Sequence, residues 1–181
     1  PRLIVDQLER PLGKYVCIGV QSTGAVKLWH NENGWNSVVD YLISKGYRVL
    51  CVDQFNEVRY GDYLVRRPKS AEDFTGDFPI SSRARLIRGA ACFIGLGSGL
   101  SWLAWGCGTP VVLISGFSNP LSEFNTPGRI HSNSECRDCW NEYGASLAKV
   151  GNSCPRGADF ICSKSITAAD VVTKLEAILP E

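Results

Sequence analysis

The 181-residue sequence contains no methionine and only two histidines, His30 and His131. The missing initiator methionine indicates that Pro1 marks a cut or processed start, so we expect the chain to be part of a larger protein. No stretch approaches the roughly 18 consecutive apolar residues of a membrane-spanning helix, and no secretory signal heads the chain. A formal net charge of +1 predicts neither a nucleic-acid partner nor attraction to an acidic membrane.

Short apolar segments alternate with segments of helical periodicity. The apolar segments predict strands at residues 15–21, 47–52, 92–94 and 111–115. The periodic segments predict helices at residues 35–43, 82–88, 100–107 and 167–179. Fully apolar strands that alternate with helices are typical of a parallel sheet covered on both faces. We therefore predict an α/β fold, a Rossmann-like parallel sheet over residues 15–181, preceded by a linker at residues 1–14 that contains Pro11 and Gly13.

Two segments interrupt this alternation. Residues 53–79 are polar and are expected to be irregular, and residues 116–164 contain the second of two groups of cysteines. The first group lies in apolar segments and is expected to be buried: Cys17, Cys51, Cys92 and Cys107.

The second group follows the spacing C-x2-C-x14-C-x7-C and consists of Cys136, Cys139, Cys154 and Cys162. A CxxC turn brings two thiolates to one ion, and two more complete the tetrahedral S4 shell that suits zinc or iron. The spacing predicts one structural metal ion in a cysteine finger at residues 130–164. Two disulfides would instead suit a secreted protein, and a redox CxxC would normally open a helix after a strand.

Two loops are predicted to meet where the parallel strands end, which is where such sheets bind ligands. In the first, the Lys27 loop (residues 21–27), Ser22, Thr23 and Lys27 offer donors to phosphate oxygens. In the second, the glycine turn (residues 97–101), backbone N–H groups and a positive helix end can approach a diphosphate. That turn consists of Gly97, Ser98, Gly99, Leu100 and Ser101. Each loop alone is equally typical of an ordinary turn, but the pair predicts a nucleotide-binding site.

Other candidate residues have two interpretations each. Asp53 ends the second predicted strand, where a carboxylate can bind a ribose or simply end the strand. Ser98 lies in Gly-Ser-Gly, but Leu96 stands where a hydrolase nucleophile elbow has glycine. A nicotinamide-dependent oxidoreductase would need a fuller glycine pattern after the first strand. The main rival to nucleotide-dependent catalysis is a non-enzymatic Rossmann-like scaffold whose metal finger docks a partner or builds an oligomer.

Several segments together resemble the bacterial autotransporter heptosyltransferases. The likeness extends over nearly the whole chain and includes residues 15–29, 33–35, 46–53, 93–102, 116–120 and 123–124. The second cysteine group resembles the metal finger of that family, which holds iron there, although zinc would suit the same ligands. The resemblance implies the C-terminal, donor-binding half of a GT-B glycosyltransferase.

That resemblance also implies an activity, which is transfer of heptose from ADP-heptose to serine hydroxyls of an autotransporter adhesin in the bacterial cytoplasm. Thr23 and Lys27 would contact the diphosphate, the turn at residues 98–101 would contact phosphate or sugar, and Asp53 is a candidate for the ribose. The family's catalytic base is an aspartate in the N-terminal half, so no catalytic residue is assigned in this chain. The chain is expected to need that half for turnover and to form a homo-oligomer.

Overall fold

The computed structural model describes residues 2–6, 12–142 and 152–179. Its main sheet has six parallel strands in the spatial order β5-β2-β1-β6-β7-β8. These strands are β1 (Tyr15–Gly19), β2 (Arg48–Cys51), β5 (Glu72–Asp73), β6 (Phe93–Leu96), β7 (Val111–Ser115) and β8 (Gly128–His131). The remaining two, β3 (Glu57–Tyr60) and β4 (Tyr63–Arg66), pair as a separate antiparallel hairpin.

Helices cover both faces of the sheet. They are α1 (Gly34–Ser44), α2 (Ile80–Arg88), α3 (Gly99–Gly106), α4 (Ile161–Lys164) and α5 (Ala168–Ile178). Apolar side chains of α1 and α5 share one buried cluster, and those of α2 and α3 share another. The start of α5 is fixed by a capping box, in which Thr167 and Asp170 each accept a hydrogen bond from the other's backbone N–H.

The alternation of side chains along β1 shows why both faces need cover. Val16 and Ile18 enter the cluster with α1 and α5, whereas Tyr15 and Cys17 enter the cluster with α2 and α3. All four side chains are buried, as expected for a central parallel strand. The predicted Rossmann-like α/β sheet is therefore confirmed, and so is the burial of the first group of cysteines.

The prediction that residues 53–79 are irregular is wrong, and a strand within residues 116–164 was not predicted. Residues 53–79 contain the β3–β4 hairpin and the edge strand β5, and residues 116–164 contain the edge strand β8. These strands have two to four residues, and several of their side chains are exposed or partly exposed. Short, half-solvated strands lack the apolar run that marks the central ones.

Part of the predicted linker is described. The backbone N–H of Leu3 donates to the carbonyl of Gly106 at 2.8 Å, so this segment lies against the end of α3. Pro1 and Pro11 lie outside the described residues, as does the segment 143–151 of the predicted finger. The domain boundaries stay a prediction. In the described part of the chain, every helix is too short or too polar to cross a membrane.

Candidate functional site

The carboxyl ends of β1, β2 and β6 meet at one edge of the sheet. Oδ2 of Asp53, just beyond β2, accepts a hydrogen bond from the backbone N–H of Val20 at 2.7 Å, and Oδ1 accepts from Gln21 at 3.3 Å. A Cβ placed on Gly19 would lie 3.3 Å from Cδ1 of Leu100 and 3.6 Å from Oδ1 of Asp53. The start of the Lys27 loop therefore lies beside the glycine turn, as the parallel topology predicts.

Asp53 joins two strands at this edge. Its side chain is buried, and the thiol of Cys51 lies 3.4 Å from Oδ2 in addition to the two backbone donors. Burial raises the pKa of Asp53 to about 6, against the opposing effect of the N–H groups of Val20 and Gln21. This geometry gives the carboxylate a role in tying β1 to β2. The ribose contact stays a prediction, and the burial of the carboxylate disfavours it.

The raised pKa gives Asp53 a defined effect on stability. The folded state holds its proton more strongly than the unfolded state, where the pKa is 3.8. The resulting stabilisation is fully present below that value and is lost as the pH rises through about 6. The quantity to follow is the free energy of unfolding of the wild type minus that of Asp53→Asn. We expect this difference to fall by about 3 kcal/mol as the pH rises from 3.8 to about 6.

Chemical denaturation at a series of pH values measures this difference. Asp73→Asn is a matched control of opposite sign, because hydrogen bonds from Thr75 lower the pKa of Asp73. A difference between wild type and Asp53→Asn that does not change with pH would contradict the assignment.

The Lys27 loop places an ammonium group at the same edge. Residues Ala25–Lys27 form one turn of 3₁₀ helix, and Nζ of Lys27 lies 4.8 Å from the centroid of the Trp140 ring. Burial lowers the pKa of Lys27, and the nearby carboxylate of Glu123 acts in the opposite direction. The ammonium thus lies over an indole face and within electrostatic reach of a carboxylate.

Two hydroxyl groups of the predicted site differ in their surroundings. Oγ of Ser22 is buried and has no hydrogen-bond partner within the described residues, whereas Thr23 is exposed. Both positions are compatible with the predicted role as donors to a ligand, because neither hydroxyl is committed to the fold.

The glycine turn leads directly into α3. Ser98 is the residue before the helix, and its Oγ is buried without a partner in the described part of the chain. The first hydrogen bond of the helix runs from the N–H of Trp102 to the carbonyl of Ser98 at 3.3 Å. The N–H groups of Gly99, Leu100 and Ser101 therefore precede the helical ladder, at the positive end of the helix dipole.

Ser101 contributes differently from its neighbours in the turn. It is fully buried, and its Oγ donates to the carbonyl of Leu96 at 2.6 Å. This bond fixes the passage from β6 into α3 and commits the hydroxyl to the fold. The backbone N–H of Ser101, not its side chain, is the group oriented for a ligand.

Glu123 connects the two loops and was not among the residues singled out from local patterns. A Cβ placed on Gly97 would collide with Oε1 of Glu123, and the same carboxylate influences the pKa of Lys27. Lys27 and Gly97 therefore approach a common residue, so the two loops face one site. A single glutamate in the loop after β7 carries little signal by itself, and the resemblance includes residues 123–124 without giving Glu123 a role.

The four cysteines of the predicted finger lie close enough for the charges of three of them to act on the fourth, Cys162. Cys139 and Cys162 are buried, and all four thiols are free of disulfides. Burial, and then the charges of Cys139, Cys136 and Cys154, raise the pKa of Cys162 to about 12. The described residues nevertheless contain no group of three or more His, Cys, Asp or Glu side chains positioned to hold a metal ion. The structure thus brings the thiols near one another without arranging them as a closed ligand set.

The CxxC segment is attached to the same edge of the sheet. The N–H of Asp138 donates to the carbonyl of Gly116 at 3.1 Å, and the N–H of Trp140 donates to that of Phe117 at 3.2 Å. The rings of Phe117 and Trp140 meet edge to face, with centroids 5.5 Å apart. These contacts place the indole of Trp140 beneath the Lys27 ammonium, so the CxxC segment borders the candidate site.

Comparison with known proteins identifies relatives of this arrangement. The model of the family described as "Glycosyltransferase family 9 (heptosyltransferase)" matches residues 6–143. The autotransporter heptosyltransferase BAHTCr of Citrobacter rodentium is 48% identical over 175 residues, which cover 91% of this chain and 42% of that protein. The inactive autotransporter heptosyltransferase BimC of Burkholderia thailandensis is 38% identical over 184 residues, or 98% of this chain and 43% of that protein. The chain thus spans less than half the length of these curated relatives.

A solved structure shows the same fold. The crystal structure of the iron-containing dodecameric glycosyltransferase TibC from enterotoxigenic Escherichia coli H10407 superposes with a TM-score of 0.88 at 41% sequence identity. The match covers 98% of this chain and 49% of TibC. TibC has also been crystallised in complex with ADP-D-β-D-heptose, and that structure gives the same TM-score over 48% of its chain.

Proposed function

The chain belongs to glycosyltransferase family 9, the heptosyltransferases, and we propose that it is the donor-binding half of an enzyme that uses ADP-heptose. The observation that carries the proposal is the proximity of both Lys27 and the glycine turn to Glu123, at the carboxyl edge of a parallel sheet. The acceptor is proposed to be a serine hydroxyl of an autotransporter adhesin. The names of the relatives support that acceptor, and the bacterial cytoplasm is the compartment that the resemblance implies.

The diphosphate would lie between the Lys27 ammonium and the first turn of α3. Free N–H groups at a helix start bind phosphate oxygens, and the helix dipole favours the negative charge. The uncommitted hydroxyls of Ser22 and Ser98 can donate to the same oxygens. All of these groups are positioned before a ligand arrives, so they can stabilise the charge that develops on the departing ADP.

The proposed reaction is a glycosyl transfer. The serine oxygen forms a bond to the anomeric carbon of heptose while the bond from that carbon to the diphosphate oxygen breaks, and ADP leaves with the electron pair. The serine proton passes to a general base, which we assign to the part of the protein outside this chain. Family membership alone does not establish turnover, because BimC is described as inactive.

We further propose that Cys136, Cys139, Cys154 and Cys162 hold one structural metal ion. Four free thiols, three of which raise the pKa of the fourth, Cys162, form a donor set suited to iron or zinc. Iron is favoured by the likeness to TibC, which is described as iron-containing. The ion would link the CxxC segment to the start of α4, and it would take no part in glycosyl transfer. A homo-oligomer belongs to the same proposal, since TibC is described as dodecameric.

Calorimetric titration of the full chain with ADP, ADP-heptose, UDP-glucose and GDP-mannose tests the proposed function. We expect binding of ADP and ADP-heptose and at least tenfold weaker binding of the other two. The rival scaffold function predicts no nucleotide binding and an oligomeric state that depends only on the metal. Absence of ADP binding by a folded, metal-replete sample would therefore contradict the donor-binding assignment and favour the scaffold.

A further inference from the structure

The carboxylate of Glu123 is fixed by one of its oxygens. Oε2 pairs with the guanidinium of Arg129 and accepts a hydrogen bond from Oγ of Ser115 at 3.1 Å. Arg129 is itself held by the carbonyl of Phe124 at 2.8 Å. The side chains of Glu123 and Arg129 are 5% and 8% exposed, so the orientation of the carboxylate is set by buried contacts.

The other oxygen, Oε1, is buried and has no hydrogen-bond partner within the described residues. A buried carboxylate oxygen without a donor costs free energy, so the position favours a ligand that supplies one. Oε1 faces Gly97, where any Cβ would collide with it. Glycine at this position is what allows the oxygen to approach the glycine turn so closely.

The chemistry of a carboxylate limits what it can contact in a nucleotide sugar. An ionised carboxylate only accepts hydrogen bonds, and a diphosphate offers no donor and is repelled by it. Sugar hydroxyls do donate. The neighbouring Lys27 ammonium supplies the positive charge that allows a diphosphate and a carboxylate to lie in one site.

We propose that Oε1 of Glu123 accepts a hydrogen bond from a hydroxyl of the transferred sugar, which makes Glu123 a specificity-determining residue for a polyhydroxylated sugar. The inference rests on the proposed function and extends it from the diphosphate to the sugar. It predicts that the diphosphate lies at Lys27 and the first turn of α3 and that the sugar lies at Glu123.

Comparing ADP with ADP-heptose isolates the sugar contact. Glu123→Gln keeps the size of the side chain but can present an amide N–H₂ where Oε1 accepts. We expect its affinity for ADP-heptose to fall roughly tenfold, while its affinity for ADP changes less than about twofold. Glu123→Asp is the second variant, for use if the glutamine variant folds poorly. It keeps the negative charge near Arg129 but withdraws the carboxylate. It should likewise lower the ratio of the affinity for ADP-heptose to the affinity for ADP.

Glu72→Gln is the matched control, because it makes the same change at a carboxylate that pairs with Arg48 and that belongs to the edge strand β5. Its ratio of the affinity for ADP-heptose to the affinity for ADP should equal that of the wild type. Equal losses for ADP and ADP-heptose in both Glu123 variants would overturn the sugar contact and assign the residue to the fold or to the ribose of ADP, and an unchanged ADP-heptose affinity would overturn the contact as well. Failure of the wild type to bind ADP would instead contradict the proposed function, so the two failures are distinguishable.

Discussion

Lys27→Ala is expected to weaken the binding of ADP and ADP-heptose by roughly 10- to 100-fold, the usual range for a charge-assisted hydrogen bond to phosphate. The ammonium is partly buried over the ring of Trp140, so water screens its attraction to a phosphate less than it would for an exposed lysine. The melting temperature should change little, because the ammonium has no salt bridge of its own among those found in the described residues. Calorimetric titration measures the affinity, and differential scanning calorimetry the stability.

Two further variants separate the charge from the packing of the side chain. Lys27→Met keeps an unbranched apolar stem over Trp140 and should bind as weakly as the alanine variant. Lys45→Ala removes an exposed lysine that lies over the ring of Tyr41, at the end of α1, and should bind like the wild type. If Lys27→Met keeps the wild-type affinity, the ammonium does not contact the diphosphate and the assigned role is wrong.

Cys139→Ser is expected to reduce the metal content from about one ion per chain to near zero and to lower the melting temperature. A serine hydroxyl is a poor replacement for a thiolate ligand of iron or zinc, and the free energy of binding a structural metal contributes to folding. Elemental analysis of the purified chain measures the metal. The absorption spectrum distinguishes the two candidates, because zinc has a filled d shell and gives no visible bands.

Cys107→Ser is the matched control for this prediction. Its thiol is buried and lies 3.8 Å from the carbonyl of Ala84, to which a serine hydroxyl can also donate. The metal content of this variant should equal that of the wild type. A Cys139→Ser chain that retains its full metal content would refute the four-cysteine site.

The central part of the fold could be predicted from the sequence because burial on both faces leaves a clear signal. The runs in β1 and β7 are apolar at nearly every position, and only a covered parallel strand needs that composition. The edge strand β8 has the sequence Gly-Arg-Ile-His, in which His131 is exposed and Arg129 forms an ion pair with Glu123. Its place in the sheet depends on pairing with β7, which no local pattern encodes.

The candidate site likewise has a part that the sequence predicts and a part that depends on tertiary contacts. Lys27 and the glycine turn could be predicted to converge, because each follows a strand of a parallel sheet and such strands end at one edge. Glu123 and Trp140 could not, because their roles depend on how loops far apart in sequence fold back over that edge. The surroundings of Asp53 and Ser101 were likewise set by tertiary hydrogen bonds to neighbouring backbone groups, which composition does not reveal.

The indole of Trp140 lies one residue from Cys139 and beneath the Lys27 ammonium, while its backbone N–H is bonded to Phe117. The position of the cysteine segment and the position of the Lys27 ammonium are therefore coupled through Trp140. Thermodynamic linkage makes such coupling reciprocal. If a metal bound by the thiols favours the position of Trp140 under the ammonium, a nucleotide bound to the ammonium must raise the affinity of the thiols for that metal by the same coupling free energy.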